Sequence, residues 1–157
     1  MSDEVLIIGG GPAGLVTAAS LVVHAPELRG RVRVLERARY PREKLCAGGL
    51  GDRGWRLLER LGIAPDVPQV RVHAIRLQTG HAEMVGRPGP PIGRVIRRIE
   101  FDHALAQRVA DLGVVIEDGV GLTALDEDAD GVTVQTPAGE RRGAVVVGAD
   151  GVGSRVR

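Results

Sequence analysis

Three glycines near the start of the chain have the spacing Gly-x-Gly-x-x-Gly and follow an apolar run. When such a segment opens a helix, the unpaired N–H groups and the positive end of the helix dipole can hold a pyrophosphate. Gly9 then makes the tight turn, Gly11 lets the phosphates approach the backbone, and Gly14 lets the helix pack closely on the preceding strand. Pro12 and Ala13 lie inside the same motif, which predicts a dinucleotide-binding loop.

A carboxylate at the end of the next strand completes this motif, because it accepts hydrogen bonds from ribose hydroxyls. Glu36 lies about 20 residues beyond Gly14, where that acid is expected, and Arg37 follows it. A carboxylate repels a 2′-phosphate, so the site favours FAD or NAD over NADP. Arg42 and Lys44 follow in a basic loop. The guanidinium of Arg42 is predicted to meet pyrophosphate or ribityl oxygens, whereas Lys44 is equally compatible with a solvated loop.

The elements that position these residues form a predicted βαβ unit. Val5–Ile8 is a continuous apolar run, typical of a parallel strand buried on both faces. Pro12–His24 is predicted as a helix with proline at its first position, and residues 31–36 as the second strand.

Two further helices are predicted, over residues 52–61 with Asp52 as the N-cap and over residues 99–112. Residues 86–93 contain three prolines and are predicted as a loop. The remaining strands are predicted at residues 70–78, 114–117, 120–125, 132–136 and 141–147. The last three form a small antiparallel meander whose end rejoins the parallel sheet. The pattern predicts one α/β domain over residues 1–157, with a Rossmann-type doubly wound parallel sheet of order 3-2-1-4-5.

Composition excludes several classes of protein. Three aromatic residues leave little with which to stack single-stranded nucleic acid, and a net charge of +1 gives no basic bias, so no nucleic-acid partner is expected. Residues 5–23 are uncharged, but three consecutive glycines, Gly9 to Gly11, and Pro12 interrupt them, so no integral membrane segment is expected. One cysteine fits a cytoplasmic protein. Four histidines without ligand spacing predict no metal site, and the serines lie outside any nucleophile elbow, so the catalytic residues remain unknown.

Four segments together resemble the flavoprotein monooxygenase and geranylgeranyl reductase superfamily. Besides the glycine motif with Glu36, residues 40–49 are similar to a Phe/Tyr-Pro-Arg-x-Lys-x-Cys-Gly-Gly loop of the geranylgeranyl reductase branch and related halogenases, with Ala47 in place of a glycine. Residues 98–105 resemble an Arg-x-x-Phe-Asp-x-x-Leu segment, and residues 148–157 an Asp-Gly motif. The resemblance implies FAD rather than NAD as the bound cofactor.

The resemblance also implies roles for individual residues. Arg98 is expected to approach the flavin nucleotide, and Asp150 and Gly151 are expected near the FAD pyrophosphate, in a motif implicated in NAD(P)H use. Cys46 either faces the flavin or is an ordinary buried thiol. Arg98 and Asp150 are therefore expected at the same rim of the sheet as Gly11.

Members of the superfamily continue through a second flavin motif, Gly-Asp, and a substrate-binding sheet. The chain is therefore expected to be the N-terminal portion of such a fold, truncated relative to it, with the strand at residues 145–147 left as an apolar edge. That edge predicts marginal stability or self-association.

The leading functional interpretation is an FAD-binding oxidoreductase whose flavin is reduced by NAD(P)H and then reduces a double bond or activates oxygen. Its substrate is expected to be a small molecule, isoprenoid or aromatic. Two alternatives stay open: an inactive nucleotide-binding remnant and an NAD-dependent dehydrogenase.

Overall fold

The computed structural model describes residues 4–86 and 89–157. A short 3-10 turn at Pro26–Leu28 joins the first helix to the second strand. In chain order the helices and strands are β1 (Val5–Ile8), α1 (Pro12–His24), β2 (Val32–Glu36), β3 (Gly49–Gly51), α2 (Asp52–Arg60), β4 (Gln69–Val72), β5 (Arg76–Thr79), β6 (Ala82–Val85), β7 (Gly93–Ile96), α3 (Arg98–Asp111), β8 (Val115–Asp118), β9 (Ala124–Asp128), β10 (Gly131–Thr136), β11 (Gly139–Gly143) and β12 (Val145–Gly148).

A four-stranded parallel sheet of order β12-β1-β2-β8 is the centre of the fold. If these four strands are numbered 1 to 4 in chain order, the sheet has the order 4-1-2-3. Read from the opposite edge, this order is 3-2-1-4, which matches the first four strands of the predicted order. The predicted α/β class, with a parallel sheet and an antiparallel meander, is confirmed. The outer side of β12 pairs with no strand among the described residues, and Val145 is 51% exposed. The predicted apolar edge is therefore present in this part of the chain.

The two faces of the parallel sheet are covered differently, because successive side chains of a strand point to opposite faces. Ile7 and Val34 pack with the buried faces of all three helices in the larger core. Leu6 and Leu35 face the other way and pack against Val134 of the meander. Helices α1 and α3 therefore lie on one face of the parallel sheet and the meander on the other, while α2 joins the same core and packs against β3 and β7. Both layers help to fix the carboxyl ends of β1 and β2.

The meander consists of β9, β10 and β11 paired antiparallel. The single strand predicted over residues 141–147 is in fact two, because the chain leaves β11 at Gly143 and enters the parallel sheet as β12. An ion-pair network ties the layers together: Glu117 on β8 accepts hydrogen bonds from Arg33 on β2 and from Arg141 on β11. Hydrogen bonding from Arg141 and Arg33 lowers the pKa of Glu117 despite its partial burial.

A small antiparallel sheet, β3-β7-β4, and a hairpin, β5-β6, complete the fold. The strand predicted over residues 70–78 is divided between β4 and β5, and the predicted loop at 86–93 ends where β7 begins; residues 87 and 88 lie outside the described part. The N-cap of α2 is Gly51, so the prediction of Asp52 was wrong. The Asp52 carboxylate instead pairs with Arg56 at 2.8 Å and with Arg94 at 3.4 Å.

No helix among residues 4–86 and 89–157 is long and apolar enough to cross a membrane.

Candidate functional site

The glycine loop connects the end of β1 to the start of α1. Gly9 has a φ of +112°, and a Cβ there would lie 2.4 Å from the carbonyl oxygen of Ala149. A Cβ at Gly14 would lie 1.9 Å from the carbonyl oxygen of Gly9. Both positions therefore require glycine for packing within the chain. Gly11 is different, because the nearest atom to a Cβ there is a guanidinium nitrogen of Arg42 at 3.7 Å.

The first turn of α1 presents free backbone donors beside this open position. Gly11 is the N-cap, has extended backbone angles and provides no side-chain cap, and Pro12 and Ala13 form the first two helical positions. An uncapped helix start combines unpaired N–H groups with the positive end of the helix dipole. This arrangement is suited to an anion such as a diphosphate.

Glu36 at the end of β2 points toward the glycine loop, as predicted. Its Oε2 accepts a hydrogen bond from the Gly10 N–H at 2.8 Å, and its Oε1 accepts one from the Ala38 N–H at 2.9 Å. The side chain is only 9% exposed. A carboxylate oxygen has two lone pairs, so each oxygen retains one acceptor position for a hydroxyl group.

Tyr40 and Arg42 hold the opposite side of the same loop. The Tyr40 hydroxyl donates to the Gly10 carbonyl oxygen, and Arg42 Nη2 donates to that oxygen at 3.3 Å. Arg42 Nη2 also lies 3.5 Å from Glu36 Oε2. Burial, followed by the charge of Glu36, raises the pKa of Tyr40 to about 12, so this hydroxyl remains a donor at neutral pH. The Gly10 peptide is therefore held through both its N–H and its carbonyl.

Arg98 reaches this network through a buried acid on α3. Its Nε and Nη2 donate to the two oxygens of Asp102, each at 2.7 Å, and Asp102 Oδ2 lies 3.2 Å from Arg42 Nη2. The hydrogen bond to Asp102 raises the pKa of Arg98 despite partial burial. Two arginines from distant parts of the sequence therefore share one carboxylate, and Arg42 connects that carboxylate to the glycine loop.

Cys46 is exposed, so of the two alternatives the ordinary buried thiol is wrong, and a thiol that faces the flavin stays a prediction. Its sulfur accepts a hydrogen bond from the Gly48 N–H at 3.4 Å. That contact, followed by the Arg98 guanidinium, lowers the pKa of the thiol. Cys46 therefore lies beside Arg98 on the accessible side of the network.

Asp150 approaches the glycine loop from the end of β12. A Cβ at Gly9 would lie 2.9 Å from the Asp150 Cα. Burial alone raises the pKa of Asp150, but hydrogen bonds from Ser154 and from the Arg155 N–H, the latter at 2.7 Å, lower it overall. A shallow cavity of about 510 Å³ adjoins this segment and is lined by Ala13, Gly148, Ala149, Asp150, Gly151, Ser154, Val156 and Arg157.

The structure thus gathers most of the predicted residues at one rim of the parallel sheet. Arg98 and Asp150 both lie at the same rim of the sheet as Gly11. Arg98 is connected to that rim by contacts through Asp102 and Arg42, and Asp150 lies next to Gly9. Arg37, Lys44 and Gly151 are exposed. Arg37 lies beside Gly121, where an added Cβ would lie 3.0 Å from the Arg37 Cβ. Among the residues that the structure describes, no cluster of potential ligands could hold a metal ion.

Tyr40 and Asp102 lie in the network although the sequence predicted no role for either of them. Both occupy defined positions of the family motifs, Tyr40 as the Phe/Tyr of residues 40–49 and Asp102 as the Asp of residues 98–105. Asp102 also lies four residues after Arg98 in a predicted helix, the spacing at which side chains of opposite charge meet. The contact of Tyr40 with Gly10 could not be predicted, because it depends on the path of the loop after β2.

The family is decided by comparison with known proteins. A family model described as an FAD binding domain matches residues 2–157. The chain belongs to this family. The 12-dehydrotetracycline 5-monooxygenase/anhydrotetracycline 6-monooxygenase of Streptomyces rimosus is 34% identical over the whole chain, which covers 32% of that enzyme.

Solved structures agree on the fold of this FAD-binding domain. The flavin-dependent halogenase CmlS aligns with a TM-score of 0.80 and 25% identity, over 99% of this chain and 30% of the halogenase. A geranylgeranyl bacteriochlorophyll reductase-like protein from Thermoplasma acidophilum aligns with a TM-score of 0.75 and 21% identity, over 94% of this chain and 39% of that protein. The monooxygenase branch named by the sequence resemblance is thus represented among the relatives in sequence, and the geranylgeranyl reductase-like protein shares the fold. The chain spans about a third of the length of the curated relatives it matches.

Proposed function

We propose that the chain binds FAD with the diphosphate against the N-terminus of α1, next to Gly11 and Arg42. The observation that carries this proposal is an incompletely satisfied cation beside an open backbone position. The Arg42 side chain is 9% exposed, and its buried Nε has no hydrogen-bond partner. Its Nη2 lies 3.7 Å from the Cβ position of Gly11, so this guanidinium is a charged donor toward an anion against the start of α1.

The remaining residues fit the other parts of the nucleotide. Glu36 is oriented by two backbone N–H groups and retains lone pairs for the ribose hydroxyls of the adenosine. Gly11 leaves room for phosphate oxygens where any side chain would intrude. Asp150 and Gly151 line the cavity beside the loop, and we propose that they contact the diphosphate and the ribityl chain.

We propose that the complete activity is that of an oxidoreductase. FAD, when bound, supplies electron transfer, with NAD(P)H as the proposed reductant, so that a double bond is reduced or oxygen is activated. The residues described here bind and orient the nucleotide rather than transform a substrate. The substrate is proposed to be a small isoprenoid or aromatic molecule, in keeping with relatives named as anhydrotetracycline monooxygenases.

The proposal predicts selective binding of FAD by the purified chain. Titration with FAD, followed by flavin fluorescence, is expected to give a dissociation constant of about 10 μM or lower, and FAD should bind at least about tenfold tighter than NADH. Anaerobic addition of NADH or NADPH to the FAD complex then tests the reductant through bleaching of the flavin absorbance. NADH binding tighter than FAD would instead support a dehydrogenase, and failure to bind either nucleotide would refute the proposal.

We also propose that the exposed edge of β12 promotes self-association. The edge carries free backbone groups next to the half-exposed Val145, a combination that serves as a template for strand pairing. Light scattering of the purified chain is expected to show a mass that rises with concentration, and Val145→Lys is expected to return it toward the monomer. A monomer mass for the unchanged chain at every concentration would contradict this expectation.

A further inference from the structure

Asp102 on α3 is a fully buried carboxylate that contacts two arginines. Arg98 makes a bidentate pair with it, at 2.7 Å for both nitrogen–oxygen distances. Arg42 Nη2 lies 3.2 Å from the same carboxylate. Asp102 itself is not next to Gly11, so it acts on the proposed diphosphate position only through these side chains.

Because Arg42 is buried, its contact with Asp102 supplies a counter-charge that water cannot replace. A guanidinium that is only 9% exposed needs a counter-charge, and its neighbours are Glu36 at 3.5 Å and Asp102 at 3.2 Å. Glu36 is the weaker of these two restraints by distance, and both of its oxygens already accept backbone hydrogen bonds. Asp102 therefore provides the closer carboxylate that fixes where the Arg42 guanidinium lies.

We propose that Asp102 is a positioning residue that holds the guanidinium groups of Arg42 and Arg98 in place for the diphosphate of the nucleotide. This inference rests on the proposed function, because it assigns Asp102 to the same FAD site. A positioning role and a purely electrostatic role predict opposite effects on anion binding when the Asp102 charge is removed. Removing one negative charge makes the site more positive and alone favours an anion, whereas releasing two arginines from their fixed positions weakens anion binding.

The test compares a ligand that contains a diphosphate with one that lacks it. ADP and adenosine share the base and the ribose, so Asp102→Asn is expected to weaken ADP binding about tenfold while adenosine affinity changes less than about twofold. In an Arg42→Gln background, the further effect of Asp102→Asn on ADP should fall below about threefold, because the main side chain being positioned is gone. Isothermal titration calorimetry measures all of these affinities.

Glu100→Gln is the matched control. Glu100 lies two residues earlier on α3 and pairs at 3.0 Å with the exposed Arg97, so the same chemical change there should alter neither affinity. Arg98→Lys is the second variant, for use if Asp102→Asn does not fold. It keeps the positive charge and the buried acid but loses the bidentate pair, and ADP affinity is expected to fall about threefold or more with adenosine unchanged.

Unchanged or tighter ADP binding in Asp102→Asn, or an equal loss for ADP and adenosine, would overturn the positioning role while the proposed function stands. If Asp102→Asn is unfolded, unchanged ADP affinity in Arg98→Lys overturns it in the same way. If the unaltered chain binds neither FAD nor ADP, the proposed function fails, and this inference fails with it.

Discussion

Gly11→Val is expected to abolish FAD binding while the chain remains folded. The valine side chain would occupy the space that the phosphates need, so the affinity for FAD is expected to fall at least about 100-fold. The chain itself tolerates the change, because Gly11 has φ −77° and ψ 176°, and the nearest atom to a new Cβ is a guanidinium nitrogen of Arg42 at 3.7 Å, an ordinary van der Waals distance. Fluorescence titration gives the affinity, and thermal melting reports the fold.

Gly51→Val provides the control for this experiment. Gly51 is the N-cap of α2, with φ −64° and ψ 151°, lacks a side-chain cap in the same way, and has no atom within 4 Å of an added Cβ. Either valine costs at most about 1 kcal/mol of stability through the loss of a favourable N-cap. Only Gly11→Val should affect FAD. Comparable FAD affinity in both variants would show that the diphosphate does not lie against the start of α1.

The sequence was most informative where structure depends on neighbouring residues. The β1-α1-β2 unit was predicted closely, since an apolar run, a proline at the first helical position and a glycine motif each act locally. Glu36 was found from its spacing to the glycines, and its carboxylate does point to the loop. The strand order could be inferred because Val145–Gly148 is too apolar for a solvated strand and needs a neighbour in the parallel sheet.

Features that depend on distant segments were not predicted. The strand β3 contains two glycines among its three residues, so it carries no alternation of apolar and polar side chains and is defined by its pairing with β7. Asp102 could be placed next to Arg98 on one helix, but its contact with Arg42 arises from the way α3 packs beside the loop after β2. Tertiary placement, rather than local pattern, therefore decides which acid serves the two arginines.

Gly14→Ala is expected to destabilise the fold, in contrast to Gly11→Val. Its new methyl group would lie 1.9 Å from the carbonyl oxygen of Gly9 and 3.3 Å from the Ala149 Cβ. The first of these neighbours is backbone, so α1 must move away from the end of β1, which also displaces the phosphate-binding turn. Because overpacking of this kind destabilises the folded state, we expect the free energy of unfolding to fall by about 3 kcal/mol, as measured by urea denaturation.

Gly54→Ala separates this steric effect from helix propensity. Gly54 is the third residue of α2, as Gly14 is of α1, so alanine gains the same intrinsic helix propensity at both positions. The nearest atom to a Cβ at Gly54 is Leu50 Cδ1 at 3.0 Å, the end of a flexible side chain that can shift by a few tenths of an ångström. Gly54→Ala is therefore expected to leave stability unchanged or to raise it by up to about 1 kcal/mol. If Gly14→Ala were equally well tolerated, the close contact between α1 and the end of β1 could not be what requires glycine at this position.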